Sequence, residues 1–442
     1  MLSMATTHGL RRLITVALAL GASTLALTAC TTEKSYAEEQ AAKRAAPRPT
    51  PVLVLRHHVG GTHHRVIVRG EVSYAAFGNS LMAISTQSGT VLHSLELMPF
   101  GTCGALVSLV ESIGASVWFE GLRHHASFPT GHPGYRSSLP GDAAQVRKAL
   151  GGADLVLLLG GPFFEDIWYA EGGHFPKGAV VVQVEQSPER LAFNHRLDAG
   201  LVGDLAASLA ALTEAVRAGS SAEFKAAAQR RNAVLAETRK RDDEAYRARL
   251  EKAWNREPSS MPRVAAELRR GLPDNVVIVD ESITASLDLA RAFDYRGFGD
   301  YFGGRGGGIG QGFSGALGVK VAMPERPVVA VSGDGSAMYS IQALWTAAHH
   351  QLAIVFVVLA NREYRILKHN VDVWRQNFQP GTQHPYQQMD LAGPALDFVR
   401  LAAGMGVEGV RVEKAEAIAP ALAAAVAANR PYLVEIAIEG KR

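Results

Sequence analysis

Cysteine is scarce in this chain. Two occur in 442 residues, Cys30 and Cys103, so there is no disulfide framework beyond one pair and no Cys-x-x-Cys metal site. Charge of either sign is not in excess: the net value is +3 and the pI about 8.8. No stripe of basic residues alternates with aromatics, so a nucleic-acid partner is not expected. Histidines fall in pairs at 57–58, 63–64, 124–125 and 349–350, without partners at metal-site spacing. His349 and His350 are expected at a helix end. There is no internal repeat, and long apolar runs are lacking. The run Leu13 to Leu27 is broken by Gly21 and Ser23 and is short for a membrane span. What is present is ordinary: 47% hydrophobic and 20% charged residues, enough for large cores in two or three domains.

The most informative stretch runs from Val328 to Lys368. Val328 to Val331 is a β-branched apolar run that reads as a buried parallel strand. Gly333-Asp334-Gly335-Ser336 follows it, then a helical pattern from Ala337 to about His350 with Ile341, Leu344, Trp345 and Ala348 on one face. A second buried strand, Ile354 to Leu359, delivers Asn361 at its carboxyl end. Ligands of open α/β sheets bind beyond the carboxyl ends of strands, so Asp334 and Asn361 are expected on one rim. The glycines permit close backbone approach. A helix beginning near Ser336 would offer N–H groups to a phosphate. A carboxylate and an amide oxygen beside it form a hard oxygen site suited to Mg²⁺. The bland alternative is a tight turn with Asp334 as a helix cap.

GDG, an intervening helix and strand, and then Asn resembles the diphosphate and metal motif of thiamine-diphosphate (ThDP) enzymes. The intervening SAMYSIQALWTAA is most similar to benzoylformate decarboxylase and its relatives in the acetolactate synthase and pyruvate decarboxylase superfamily. The resemblance covers roughly residues 100–440. It implies ThDP and Mg²⁺ as cofactors, with Asp334, the Asn361 side chain and the Glu363 carbonyl as metal ligands. Gly333, Asp334, Gly335, Ser336 and Ala337 would cradle the diphosphate, with Ser282 beside it. Ile309 would be the bulky apolar residue propping ThDP in its bent form. Tyr364 would lie on the cofactor side, and Ile366 and Leu367 would line the substrate side. The family's usual Asn-Asn is Ala360-Asn361 here, which spares the ligand position. Arg365 is left open between a substrate carboxylate and solvent.

The resemblance also implies an α/β chain with two doubly wound parallel-sheet domains: a Rossmann-like central domain and a ThDP diphosphate-binding domain. In the central domain, residues 100–217, helices are expected at Cys103 to Ile113, Asp142 to Leu150 and Leu205 to Val216, and strands at Val117 to Glu120, Leu155 to Leu159 and Val180 to Val184. Gly160-Gly161-Pro162 lacks the G-x-G-x-x-G fingerprint, so a dinucleotide role is unsupported. Where benzoylformate decarboxylases carry an active-site histidine, this chain has Ile167, with Glu165 and Asp166 nearby as surface carboxylates. Residues 218–258 read as a solvated helical connector with a thin stripe of Ala226, Ala233, Leu235 and Leu250. Residues 259–442 form the diphosphate domain: a helix from Met261, a strand to Asp280 followed by Glu281-Ser282, and the glycine-rich loop 303–310 opening a helix to Ala322. Further helices are expected at Phe398 to Met405 and Ile418 to Ala427, and strands at Val410 to Val412 and Leu433 to Ile438.

The amino terminus does not match this pattern. Residues 1–30 read as an export signal, and Leu27-Thr28-Ala29-Cys30 resembles a bacterial lipobox. The export signature points to a membrane-anchored or exported lipoprotein, the family to the cytoplasm. Residues 31–51 have linker composition. Residues 52–97 alternate in β fashion, making 31–99 a linker and short β-rich segment. Asn79 to Leu95 resembles a single quinoprotein blade, which cannot bury its own face alone. ThDP enzymes of this type begin with a pyrimidine-binding domain of roughly 150–180 residues, whose glutamate bonds the aminopyrimidine ring. Residues 1–99 are too short for it, no catalytic glutamate is identified, and Glu71 is the first carboxylate to test in its place.

The implied activity is decarboxylation of a 2-oxo acid, an aromatic one favoured by the SAMYSIQALWTAA segment. Acetolactate synthase-like carboligation is the alternative enzyme reading, and an inactive ThDP-binding module or truncated fusion is the non-enzyme one. The implied partners are a small-molecule 2-oxo acid and either further copies in a homodimer or homotetramer, or a separate chain carrying the pyrimidine-binding domain.

Overall fold

The computed structural model describes residues 63–69, 72–77, 80–85, 91–96, 100–120, 126–161, 163–164, 171–304 and 308–440, with side chains from residue 103 onward. The signal and lipobox readings, the 31–51 linker, Glu71, the pair at 124–125, Glu165 to Ile167 and the glycines at 306–307 lie outside the described residues. The β alternation of the amino-terminal segment forms a sheet. Strands β1 (His63–Arg69), β2 (Val72–Phe77), β3 (Ser80–Ser85) and β4 (Val91–Glu96) pair antiparallel in sequence order.

The rest of the chain follows as α1 (Phe100–Ile113), β5 (Val117–Phe119), β6 (Tyr135–Ser138), α2 (Ala143–Ala149), β7 (Leu155–Leu159), β8 (Val180–Glu185), β9 (Ala199–Val202), α3 (Leu205–Gly219) and α4 (Ala222–Ala253). Then come α5 (Met261–Gly271), β10 (Val277–Glu281), α6 (Ser286–Ala292), β11 (Tyr301–Gly303), α7 (Gln311–Ala322), β12 (Val328–Gly333) and the single turn α8 (Asp334–Ala337). The chain ends with α9 (Ala343–His349), β13 (Ile354–Ala360), α10 (Arg365–Phe378), α11 (Phe398–Gly404), β14 (Glu408–Val412), α12 (Ile418–Ala427) and β15 (Tyr432–Ala437).

Two compact units result: residues 1–113, 154–161 and 178–229, and residues 114–153, 162–177 and 230–442. Two segments drawn into the central domain from sequence therefore group with the carboxyl-terminal part. In the first unit, β7, β8 and β9 form a parallel sheet. Leu109 of α1, Leu209 and Val216 of α3 and Phe224 close a core over Leu157 and Leu159. Asp204 caps α3 by accepting the Ala207 N–H at 2.8 Å.

In the second unit, six parallel strands take the order β11-β10-β12-β13-β15-β14. These strands read as unbroken apolar runs because both faces are covered. Alternation sorts them into two cores. Ile278, Val329, Val331, Val355 and Val357 meet Leu268 of α5, Leu289 of α6 and Leu422 of α12. Val279, Val328, Ala330, Phe356 and Val358 meet Phe313 of α7, Leu344 of α9 and Phe398 of α11. The chain steps outward from β10 to β11 and then returns to β12 on the other side, so the strand order reverses at β10.

Three expectations need correction. The helix expected from Ala337 to His350 is interrupted: α8 ends at Ala337, turns follow, and α9 starts at Ala343. Its inward residues are Ala343, Leu344 and Ala347, while Trp345 is 57% exposed and stacks on His349. The connector is not simply solvated, and Ala233 is exposed. Within the second unit, Asp243 of α4 pairs with Arg239 and Arg291 at 3.0 and 2.6 Å, and Asp242 pairs with Arg136 at 2.6 Å. Arg249 reaches buried Asp288, and Arg249 and Arg291 lie 5.7 and 5.5 Å from the Tyr246 ring. Each such pair is worth little alone, but a network ties α4 down without an apolar stripe. Finally, β6, β9, α6, β11 and α10 form where no element was expected.

Candidate cofactor site

The site is built where β10, β12 and β13 end. Their register sets Glu281 opposite Ser332 and Gly333 opposite Leu359, so the segments beginning at Ser282, Asp334 and Asn361 leave the sheet side by side. Asp334 and Asn361 are thus delivered to one rim, as their positions after two buried strands predict.

Asp334 is 4% exposed. Its Oδ1 accepts the Gly335 N–H at 2.9 Å, and its Oδ2 accepts the Arg362 N–H at 2.6 Å. Among the described residues no lysine or arginine side chain pairs with it. Burial pushes its pKa up to about 6, against the pull of those backbone N–H groups. Arg362 adopts φ 59, a left-handed conformation rare for a residue with a side chain, and this turn brings its N–H to Asp334. The Asn361 Oδ1 accepts the Glu363 N–H at 3.0 Å and keeps a second lone pair.

Glu363 is buried, and its side chain binds Lys368, which also reaches Asp390 at 2.7 Å. Burial works against the Lys368 ammonium, yet the hydrogen bonds it donates to Asp390 and Glu363 carry its pKa above the usual value. The flanking backbone is pinned: the Tyr364 N–H donates to the Met389 carbonyl at 3.0 Å, and the Leu391 N–H donates to the Arg362 carbonyl at 2.8 Å.

Gly335 has a specific reason to be glycine. A Cβ there would sit 2.7 Å from Cε1 of Tyr364, so the Tyr364 ring lies directly on the turn. Ser336 is half-buried, while Ala337 is fully buried in the core beside α9, which leaves its backbone as the part available to a ligand. Because α8 is a single turn, the dipole expected of a long helix is small here, and local N–H groups are what remains for a phosphate. Ser282 is 5% exposed and donates its hydroxyl to buried Asp280 at 2.5 Å; Asp280 also accepts from the Tyr301 hydroxyl at 2.9 Å. Ile309 is 44% exposed and precedes α7. Ile366 and Leu367 open α10, the first half-buried and the second exposed. Arg365 is settled by neither expectation: it donates to the Glu439 carbonyl at 3.0 Å.

Sequence reasoning placed Glu281 with Ser282 at the end of β10 but gave its carboxylate no role. Its carboxylate accepts N–H groups from Gly310, Gln311 and Gly312 at the start of α7. The available signal was an acidic strand end followed downstream by Gly-x-Gly at a helix start.

A hard cation fits this donor set. Asp334 offers a buried carboxylate without a counter-charge among the described residues, beside an amide oxygen and a backbone turn. No group of three or more His, Cys, Asp or Glu side chains that could hold a metal is gathered among the described residues. A cation here would therefore take part of its coordination from a ligand's own oxygens.

Two known families match the chain. Residues 98–212 match the thiamine pyrophosphate enzyme central domain, and residues 268–436 match the thiamine pyrophosphate enzyme C-terminal TPP binding domain. Benzoylformate decarboxylase of Pseudomonas aeruginosa is 34% identical over 333 residues, which is 75% of this chain and 58% of that protein. The acetolactate synthase large subunit of Parasynechococcus marenigrum is 27% identical, over 66% of this chain and 45% of that protein. Among solved structures, the thiamine diphosphate-dependent 4-hydroxybenzoylformate decarboxylase of Rhodococcus jostii superposes with a TM-score of 0.62 at 28% identity, covering 77% of this chain and 59% of that one. The chain thus spans somewhat more than half the length of the decarboxylases it resembles.

Proposed function

The chain carries the central domain and the C-terminal TPP-binding domain of the thiamine pyrophosphate enzymes, and from that premise we propose that it serves Mg²⁺- and ThDP-dependent decarboxylation of an aromatic 2-oxo acid. The observation that carries this reading is Asp334: a buried carboxylate without a cation partner among the described residues, beside Asn361 at adjacent strand ends. Asp334, the Asn361 side chain and the Glu363 carbonyl would hold Mg²⁺. The turn 333–337 would hold the diphosphate, its position fixed by the Tyr364 ring against Gly335. Bound ThDP would supply the carbon nucleophile for the 2-oxo acid and the electron sink for the bond that loses CO₂.

The chain's own groups bind, orient and exclude water. Ile309 would present its exposed apolar side chain to the cofactor, and Ile366 and Leu367 would give the substrate side an apolar surface suited to a ring. The two decarboxylases named above act on benzoylformate-type substrates, which supports an aromatic substrate. The family's acid–base glutamate belongs to its pyrimidine-binding domain, and we assign that role to none of the residues described. The test is Mg²⁺-dependent ThDP titration of the purified chain, followed by assays on benzoylformate and pyruvate with and without a pyrimidine domain from a full-length relative. Turnover of benzoylformate well above pyruvate, raised by the added domain, is expected. Condensation products without free aldehyde would instead favour the acetolactate synthase-like reading.

A further inference from the structure

The glycine loop before α7 is held from a strand that does not belong to it. Glu281 is the last residue of β10 and is 4% exposed. Its Oε1 accepts the N–H groups of Gly310 at 2.6 Å and Gln311 at 2.9 Å, and its Oε2 accepts that of Gly312 at 3.1 Å. A helix start leaves its first N–H groups without internal partners, and the N-cap of α7, Gly310, has no side chain to supply one. One distant carboxylate does this work, and its charge suits the positive end of the twelve-residue helix.

The approach is close. A Cβ on Gly312 would lie 2.7 Å from the Glu281 Cβ, so only glycine admits the carboxylate. Gly310 has φ 97, which a side chain would strain. On its other side, a Cβ at Gly310 would come 3.1 Å from the Tyr339 Cβ, with Ser340 next to it. The loop is therefore gripped between the end of β10 and the turn that follows the Asp334 segment. Ile309 sits immediately before this grip, a large apolar side chain held 44% exposed.

We propose that Glu281 is a positioning residue: by fastening the amides of Gly310, Gln311 and Gly312, it holds Ile309 where the organic part of ThDP would rest. This inference rests on the ThDP reading above. It separates two parts of the site, with Asp334 and Asn361 serving the diphosphate and Glu281 serving the rings through Ile309.

Calorimetry with Mg²⁺ plus either ThDP or inorganic pyrophosphate tests it on the full chain. Glu281→Gln keeps the shape but loses the charge and one acceptor. It should weaken ThDP roughly tenfold, the scale of a lost charged hydrogen bond, while pyrophosphate affinity stays within about twofold. Ile309→Ala should show the same split, and the double variant should be no weaker than the weaker single one. Parallel loss of both ligands, additive losses, or unchanged ThDP affinity would overturn the proposal. Glu281→Asp, which keeps the charge but shortens the reach, gives the same comparison should the amide variant not fold.

Hydrogen exchange on the unligated chain reads the grip without cofactor. Gly310, Gln311 and Gly312 amides should exchange faster in Glu281→Gln, while 334–337 stay unchanged. Equal protection there overturns the grip itself. If the unaltered chain binds neither ligand while exchange behaves as expected, the cofactor reading has failed and the role assigned to Ile309 falls with it, whereas the grip stands.

Discussion

Each unit contains a parallel strand that runs out into glycine, and the two ends do different things. After β7, Gly160 donates its N–H to Val184 at 2.8 Å and accepts from the Gln183 side chain at 3.3 Å. Arg190 donates to the Gly161 carbonyl at 3.5 Å. The Gly160 N–H and the Gly160 and Gly161 carbonyls are met by the chain itself. After β12, the turn contains Asp334, whose carboxylate is buried and, among the described residues, accepts from the backbone N–H groups of Gly335 and Arg362. Glycine at a strand end thus marks a turn in both places. The buried carboxylate, without a counter-charge among the described residues, is what sets the second turn apart as the proposed cofactor site.

The contrast makes predictions of decreasing size. The largest concerns pH. Burial raises Asp334 from 3.8 to about 6, so between those values the folded chain binds the proton more tightly than the unfolded chain does. The stability contributed by that proton is full below the unfolded value and is lost as pH rises through about 6. The difference between those two limits corresponds to about 3 kcal/mol. Without Mg²⁺, urea midpoints should fall from pH 4.5 to 7.5 more steeply for the unaltered chain than for Asp334→Asn, which cannot ionise. Equal slopes would remove the distinction between the two turns.

Next, Asn361→Leu should weaken Mg²⁺-dependent ThDP binding by about 10- to 100-fold, as loss of an oxygen ligand or its support does at metal sites. Titration followed by calorimetry reads this, and undiminished affinity would take Asn361 out of the site. Gly335→Ala should cost about 1–2 kcal/mol of stability by forcing the Tyr364 ring away, and Tyr364→Ala in the same chain should recover most of it. A loss that Tyr364→Ala does not relieve would mean the turn, not the ring, is strained. The smallest effect belongs to the other turn: Arg190→Ala should leave ThDP affinity within about twofold, since less than about 0.4 kcal/mol is at stake. A large loss there would show that the first unit's turn also serves the cofactor.

Much of this is legible in the sequence. Val328–Val331 and Ile354–Leu359 are β-branched runs with both faces buried, and their ends bring Asp334 and Asn361 together. The export reading and the identity of the 2-oxo acid rest on sequence and resemblance alone. Other features were hidden for physical reasons. Ile341, Leu344 and Ala348 keep helical spacing across the turns at 338–342, so periodicity could not show the break or that Trp345 faces outward. Helix α10 has no side-chain cap at Tyr364, so its start carried no signal. Helix α4 is fixed by ion pairs and cation–π contacts with residues distant in sequence, which composition reads only as solvation. The Glu281 grip joins β10 to α7 across β11 and the intervening loop, and only the folded chain brings those groups together.

The most direct test of the central claim is calorimetric titration of ThDP into the unaltered chain and into Asp334→Ala, each with Mg²⁺ and with a chelator. The account predicts binding to the unaltered chain only when Mg²⁺ is present, and none to Asp334→Ala under either condition. Equal affinity in the two chains, or binding to the unaltered chain that the chelator does not abolish, would contradict it.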